Sequence, residues 1–170
     1  MTPHLVPFLL MAQTSALPAP LEIYPGVFVL AGSLEPPTLA SLRTSGITHV
    51  INLRKPTEGD FKGEAEGLRV IGVEYASCPT DREPTSAEVD AFRVRMKSLP
   101  PRAKVLVHCA TGNRAAGLLM AFWILDKSLP KAEALALAHK AGLKNPATET
   151  AVLAYLAAHT DSKSQQERSK

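Results

Sequence analysis

Residues 107–115, VHCATGNRA, join an apolar run to an apolar helix through a short loop. The run at 104–108 is continuous and apolar, as in strands that are buried on both faces of a parallel sheet. The segment at 114–125 is apolar nearly all round, which is typical of a buried helix. A strand, a tight loop and a helix N-terminus in this order predict a parallel α/β sheet, with Cys109 at its carboxyl edge.

The rest of the chain continues the alternation of strands and helices. Patterning predicts strands at 27–30, 47–53 and 69–75 and helices at 38–45, 130–141 and 146–159. A capping box of Thr85 and Glu88 predicts a further helix that packs through Val89, Phe92, Met96 and Leu99. We therefore expect a single α/β domain with a central, mostly parallel sheet of four to five strands, flanked by helices.

Composition excludes several classes of protein. The chain has 170 residues, 45% hydrophobic and 21% charged, as expected for one globular domain. Its net charge of +3 comes from scattered cations, so no nucleic-acid surface is predicted. Two cysteines and five histidines without ligand spacing predict neither a disulfide framework nor a metal site. The folded domain is expected at 21–160, with a disordered tail at 161–170.

The N-terminal segment, residues 1–20, allows two interpretations. An apolar run at 5–12 precedes the small residues at 14–16, but no Lys or Arg comes before it. We favour an export signal over a disordered leader, which would make the protein periplasmic or secreted; otherwise it is cytoplasmic. No segment reaches the length of a spanning helix.

The loop has the features of an anion site. Backbone amides of Ala110, Thr111, Gly112 and Asn113 can turn inward at the helix N-terminus, and Gly112 allows a left-handed backbone. The helix dipole and Arg114 favour the thiolate, which is the nucleophilic form of cysteine. Arg114 can hold two oxygens of an anion at once. The alternative for Cys109 is a buried structural thiol.

With these residues the chain resembles the cysteine-dependent protein tyrosine phosphatases, and more closely the small bacterial dual-specificity-like group related to the extra domain of beta-lactamase-hydrolase-like proteins. The resemblance extends over most of 21–143. It is carried by the loop and by Ala31-Gly32-Ser33, VINLR at 50–54 and GVEY at 72–75. Two features depart from most of these phosphatases. The loop has four residues between Cys109 and Arg114 instead of five. In addition, Ala115 stands where most of these phosphatases have a Ser or Thr, so Thr111 would have to supply that hydroxyl.

The resemblance implies specific roles. Cys109 is the expected nucleophile, and Arg114 with the loop amides binds phosphate. Asp81 is the expected general acid, with Glu83 in reserve; its alternative role is a solvated turn carboxylate. Arg54 would hold a second anion or a loop carboxylate, or form a surface ion pair. His108 would orient the thiolate, or be a core histidine bonded to backbone.

The expected function is a phosphomonoesterase that works through a phosphocysteine, without metal or cofactor, on a phosphorylated protein or small molecule. The alternatives are a rhodanese-like sulfurtransferase and a phosphate-binding module of low activity, which Ala115 favours. Because Cys78 and Cys109 each follow a strand, a reversible disulfide between them is a separate hypothesis, weighed against an apolar structural role for Cys78.

Overall fold

A computed structural model describes residues 19–168 of the chain and has a five-stranded sheet at its centre. The strands are β1 (Leu21–Tyr24), β2 (Val27–Ala31), β3 (His49–Asn52), β4 (Glu74–Ser77) and β5 (Val105–Cys109). They are arranged in the order β1-β2-β5-β3-β4, and β1 pairs antiparallel with β2 while the other pairs are parallel. The predicted α/β architecture with a mostly parallel sheet is confirmed.

Helices cover both faces of the sheet. They are α1 (Pro36–Thr44), α2 (Lys62–Val70), α3 (Ser86–Lys97), α4 (Asn113–Asp126), α5 (Lys131–Ala141) and α6 (Pro146–Arg168), with a short 3-10 helix at Pro56–Glu58. One hydrophobic cluster joins the sheet to α3, α4, α5 and α6, and a smaller one joins it to α1 and α2.

The centre of the fold is the pair formed by β5 and α4. Every residue of β5 is buried, with Leu106 in the smaller cluster and Val107 and Cys109 in the larger one. In α4 the residues from Ala115 to Trp123 are all buried. The loop between them is therefore held at both ends by elements that pack within the interior.

One predicted strand is wrong in its position. Residues 69–75 were predicted as a strand, but α2 continues to Val70 and β4 begins only at Glu74. Gly72 has φ +74°, and the N–H of Val73 donates to the carbonyl of Leu68 at 2.9 Å. Gly72 is therefore the left-handed residue that ends a helix, not a residue within a strand.

Two other boundaries differ from expectation. Patterning did not predict β1, which forms a hairpin with β2 across Gly26. Helix α6 was predicted to end at residue 159 but extends to Arg168, so it includes most of the segment expected to be a disordered tail. The domain boundaries stay predictions. The candidate export signal lies outside the described residues, and within 19–168 no helix is long and apolar enough to cross a bilayer.

Candidate active site

The loop after β5 turns back over the sulfur of Cys109. The Gly112 N–H donates to Cys109 Sγ at 3.1 Å, and Cys109 is fully buried. Gly112 has φ +83°, and a Cβ there would lie 3.3 Å from the Ala141 carbonyl oxygen. A glycine is therefore required both by the backbone angle and by the close approach of α5. Helix α4 starts at the next residue, so its N-terminus faces the same point.

Arg114 is fixed by an acceptor that the sequence analysis did not identify. Its Nη1 and Nη2 atoms donate to Oε1 and Oε2 of Glu58, both at 2.6 Å. Nη1 also donates to the carbonyl oxygens of Thr80 at 3.0 Å and Leu53 at 3.3 Å. The Arg114 side chain is only 12% exposed, so the guanidinium is held in one orientation.

The electrostatics of this pair are consistent with its geometry. The hydrogen bond from Arg114 lowers the pKa of Glu58 from 4.5 to about 2, against the opposing effect of burial. The pKa of Arg114 is raised, first by the hydrogen bond to Glu58, against the opposing effect of burial, and also by the nearby Cys109. Both groups are therefore charged at neutral pH, with Arg114 close to the sulfur.

A cavity of about 280 Å³ opens above the loop. Ala110, Thr111, Asn113 and Arg114, from the loop and the start of α4, line it. The other lining residues are Lys55, Glu58, Thr80, Asp81, Arg82 and Asn145. The predicted nucleophile loop and the predicted acid thus share one cavity.

Asp81 lies at the rim of this cavity, and two contacts fix its position. Its carboxylate forms an ion pair with Lys55, and its N–H donates to Glu88 Oε1 at 3.0 Å. The other oxygen of Glu88 caps α3 by accepting the N–H of Thr85 at 2.8 Å, which confirms the predicted capping box. Glu83, the reserve candidate, is exposed and is not among the residues that line the cavity.

Asn113 holds Asn145, another residue of the cavity lining, in place. Its Oδ1 accepts the N–H groups of Lys144 at 2.6 Å and Asn145 at 2.7 Å, and its amide donates to Thr111 Oγ1 at 3.0 Å. The first residue of α4 therefore ties the anion loop to the segment between α5 and α6.

Arg54 does not line the cavity above the loop, contrary to the prediction that it holds a second anion of the substrate there. It donates to Ser33 Oγ and, at 2.7 Å, to the carbonyl of Glu58, and it stacks on Phe61 with 4.7 Å to the ring centroid. It lines a neighbouring cavity of about 320 Å³ instead. Arg54 therefore supports the 3-10 helix that carries Glu58.

His108 is buried on the face of the sheet opposite to Cys109, as expected for adjacent residues of a strand. Its Nδ1 lies 3.1 Å from the Gly32 carbonyl and its Nε2 lies 3.1 Å from Glu64 Oε1. Glu64 also accepts from the amide of Asn52 at 3.1 Å. The ring is thus not in the cavity, and a substrate-binding role for His108 is not consistent with this position.

The hypothesis of a disulfide between Cys78 and Cys109 is wrong for this fold. Both cysteines are free, and β3 lies between the strands they follow. The Leu53 N–H donates to the His108 carbonyl at 2.9 Å, and the Cys78 N–H donates to the Asn52 carbonyl at 2.8 Å. Two strand spacings, about 9.5 Å, separate the cysteines, and a disulfide needs Cα atoms within about 7 Å. Cys78 instead packs beside the larger cluster.

Metal ligands are not grouped in the described part of the chain. Between residues 19 and 168 no three His, Cys, Asp or Glu side chains are arranged to hold a metal ion.

The amino-acid sequence is similar to known phosphatases, although no protein-family model matches it. Human dual specificity protein phosphatase 26 is 31% identical over an alignment of 120 residues that covers 67% of this chain and 55% of that protein. The same protein from Rattus norvegicus is 30% identical over 120 residues, with the same coverage. The chain therefore spans just over half the length of these relatives.

The fold is similar to solved phosphatase structures. A DUF442 protein from Shewanella putrefaciens CN-32 superimposes with a TM-score of 0.68 and 21% identity, covering 84% of this chain and 93% of that one. The structure of P. aeruginosa TpbA in complex with pTyr has a TM-score of 0.60 and 18% identity, covering 84% and 90%. By sequence the chain is similar to dual specificity phosphatases, and its fold is that of small tyrosine-phosphatase-like proteins.

Proposed function

We propose that this chain is a cysteine-dependent phosphomonoesterase. The observation that carries the proposal is the Gly112 N–H on Cys109 Sγ, at 3.1 Å, beside an arginine whose orientation is fixed. This arrangement brings a sulfur nucleophile and anion-binding donors to one point at a helix N-terminus. Sequence similarity to dual specificity phosphatases supports the phosphatase over the sulfurtransferase alternative.

The first step transfers the phosphoryl group to sulfur. The Cys109 thiolate attacks phosphorus, an S–P bond forms and the bond from phosphorus to the ester oxygen breaks. Asp81, at the rim of the same cavity, gives its proton to the departing oxygen. Arg114 and the loop amides stabilise the negative charge on the equatorial oxygens of the phosphoryl group.

The second step restores the enzyme. The Asp81 carboxylate takes a proton from a water molecule, which attacks phosphorus. The S–P bond breaks, inorganic phosphate leaves and the thiolate is regenerated. No hydroxyl follows Arg114 to assist the leaving sulfur, because that position is Ala115. We therefore expect this second step to be the slower one.

Glu58 is a positioning residue in this scheme. It uses both carboxylate oxygens to hold the Nη1 and Nη2 atoms of Arg114. The opposite edge of the guanidinium, formed by Nε and Nη2, is left for the phosphoryl oxygens. Arg54 in turn holds the backbone of Glu58.

The test is the release of phosphate and 4-nitrophenol from 4-nitrophenyl phosphate as a function of pH. Wild type should show a bell-shaped profile, Cys109→Ser should be inactive, and Asp81→Asn should lose one limb of the bell. Glu83→Gln is the matched control in the same loop and should behave as wild type. An unchanged profile in Asp81→Asn would remove that residue from the mechanism. Conversion of thiosulfate to thiocyanate without phosphatase activity would support the sulfurtransferase instead.

A further inference from the structure

The cavity above the loop that follows β5 is lined almost entirely by polar and charged residues. Among the described residues that line it, Ala110 is the only apolar one, and none is aromatic. Besides Ala110, an apolar group of the substrate would contact only the aliphatic parts of polar and charged side chains. Selectivity for the part of the substrate beyond the phosphate therefore depends on polar and charged contacts.

The charges that line the cavity do not cancel. Two carboxylates are present, and each is already paired: Glu58 with Arg114 and Asp81 with Lys55. Arg82 is the third cation of the lining, and among the described residues its guanidinium forms no ion pair. One positive charge therefore remains for a group other than the phosphate that is cleaved.

Two hydrogen bonds hold the backbone segment that carries Arg82. The Arg82 carbonyl accepts a hydrogen bond of 2.7 Å from Thr148 Oγ1, and Thr148 is fully buried in α6. The preceding residue, Asp81, is tied to Glu88. Arg82 thus directly follows the residue that we propose to protonate the leaving oxygen, and it lines the same cavity.

We propose that Arg82 binds a second anionic group, a phosphate or a carboxylate, on the alcohol portion of the substrate. The inference rests on the proposed function and narrows its substrate class. The preferred substrates are phosphate monoesters of small polar alcohols that carry another negative charge, and an uncharged aryl phosphate is a poor mimic of them. Attraction between the free guanidinium and this group supplies the selectivity.

The test compares two synthetic probes of the same shape, 3-carboxyphenyl phosphate and 3-carbamoylphenyl phosphate. Wild type should hydrolyse the carboxylate with the higher kcat/KM, by about three- to tenfold. Arg82→Gln should remove this preference, because kcat/KM should fall more for the carboxylate than for the carboxamide, and added salt should weaken the preference in wild type. Arg102→Gln, which removes an exposed arginine at the opposite end of β5, is the charge-matched control.

The outcomes separate this inference from the function on which it rests. Equal kcat/KM for the two probes in wild type, or an equal loss for both in Arg82→Gln, would overturn the second anion site while the phosphatase stands. The same preference in Arg82→Gln as in wild type would overturn the site as well. Failure of both probes to release phosphate in a Cys109-dependent way would overturn the proposed function itself.

Discussion

Arg114 depends on one carboxylate for its orientation. Glu58 binds two of its nitrogens at 2.6 Å, while the carbonyls of Leu53 and Thr80 hold Nη1 from the other side. An arginine fixed in this way has lost its side-chain entropy before any substrate binds, so less free energy is spent in ordering it on binding.

The pair also makes the stability of the fold depend on pH. In the folded chain the pKa of Glu58 is about 2, below its usual value of 4.5. Because the folded state favours the ionised carboxylate, the contribution is fully present above about pH 4.5 and is lost as the pH falls towards 2. At neutral pH it amounts to about 3 kcal/mol at most.

Glu58→Gln should therefore be destabilised relative to wild type by about 2 to 3 kcal/mol near neutral pH. This difference should shrink towards zero between about pH 5 and about pH 2. Denaturant titrations of both proteins over that pH range measure it. Phosphatase kcat/KM should also fall in Glu58→Gln, because Arg114 can then leave its position. A stability difference that does not change with pH would contradict this account of the pair.

Single residues of the site differ in how far sequence could predict them. Cys109, Arg114 and Asp81 follow from position: the first two flank one short loop, and the third follows a strand of the same sheet. Glu58 lies 56 residues before Arg114 in a short 3-10 helix, and no local pattern indicates that pairing. The position of Arg54 at the end of a strand correctly predicted the edge of the sheet at which it lies, but it did not predict which cavity Arg54 lines.

At the level of elements, two helix N-termini define the site. Helix α4 begins beside the sulfur, and Glu88, which completes the capping box of α3, also holds the backbone of Asp81. The Glu88 side chain thus caps the N-terminus of α3 and also holds the backbone of the predicted acid, Asp81. The capping box could be read from the sequence, whereas its second role required the fold.

Gly112→Ala should disturb the anion-binding loop itself, in addition to the backbone strain that any side chain causes at a left-handed position. The left-handed angle alone costs about 1 to 2 kcal/mol with a side chain present, and the added Cβ would press on the Ala141 carbonyl at 3.3 Å. Gly72→Ala is the matched control, since φ is +74° there and the Cβ would meet nothing within 4 Å.

Both variants should lose stability in thermal unfolding, but only Gly112→Ala should lose binding of inorganic phosphate and activity. Phosphate affinity can be measured by isothermal titration. If Gly112→Ala bound phosphate as wild type does, the loop geometry around the sulfur would not be needed for anion binding.

Gly72 also shows why one element was misplaced. Residues 69–75 alternate in a way that fits a strand, yet Glu64 and Leu68 are buried four residues apart, as on a helix. Gly72 acts as the helix terminator, and the short strand starts two residues later. A glycine in an alternating segment has two explanations, and only the tertiary fold decides between them.

Across the whole molecule, a polar network ties together the helices behind the site. Arg93 on α3 donates to Asp126 at the end of α4, at 2.7 and 3.0 Å, and to the hydroxyl of Tyr155 on α6 at 2.6 Å. Tyr155 donates to Asp90, and burial, the first cause, raises its pKa to about 12. The Arg93 and Asp126 side chains are only 15% and 8% exposed.

Arg93→Met should destabilise the fold by about 3 kcal/mol, because it leaves the carboxylate of Asp126 with only Lys97 as an ionic partner. Arg95→Met, on an exposed position of the same helix, should cost less than about 0.5 kcal/mol. Guanidinium unfolding at neutral pH compares the two. Equal losses in both variants would contradict a structural role for the network.

The α/β architecture could be predicted from the sequence more completely than these side-chain contacts between elements. Alternating strands and helices, and a strand apolar on both faces, are enough to predict a parallel sheet with its site at the carboxyl edge. The pairing order that places β3 between β4 and β5 depends on long-range contacts, so sequence spacing alone could not exclude the disulfide.

The most direct test of the central claim is transfer of phosphate to Cys109. Wild type is mixed with 4-nitrophenyl phosphate, quenched in alkaline denaturant and digested with trypsin. The account predicts that the peptide 105–114 carries one phosphoryl group on Cys109, together with an initial burst of nitrophenol, because Ala115 leaves the second step slow. Release of phosphate with neither a burst nor modification of that peptide would contradict the account.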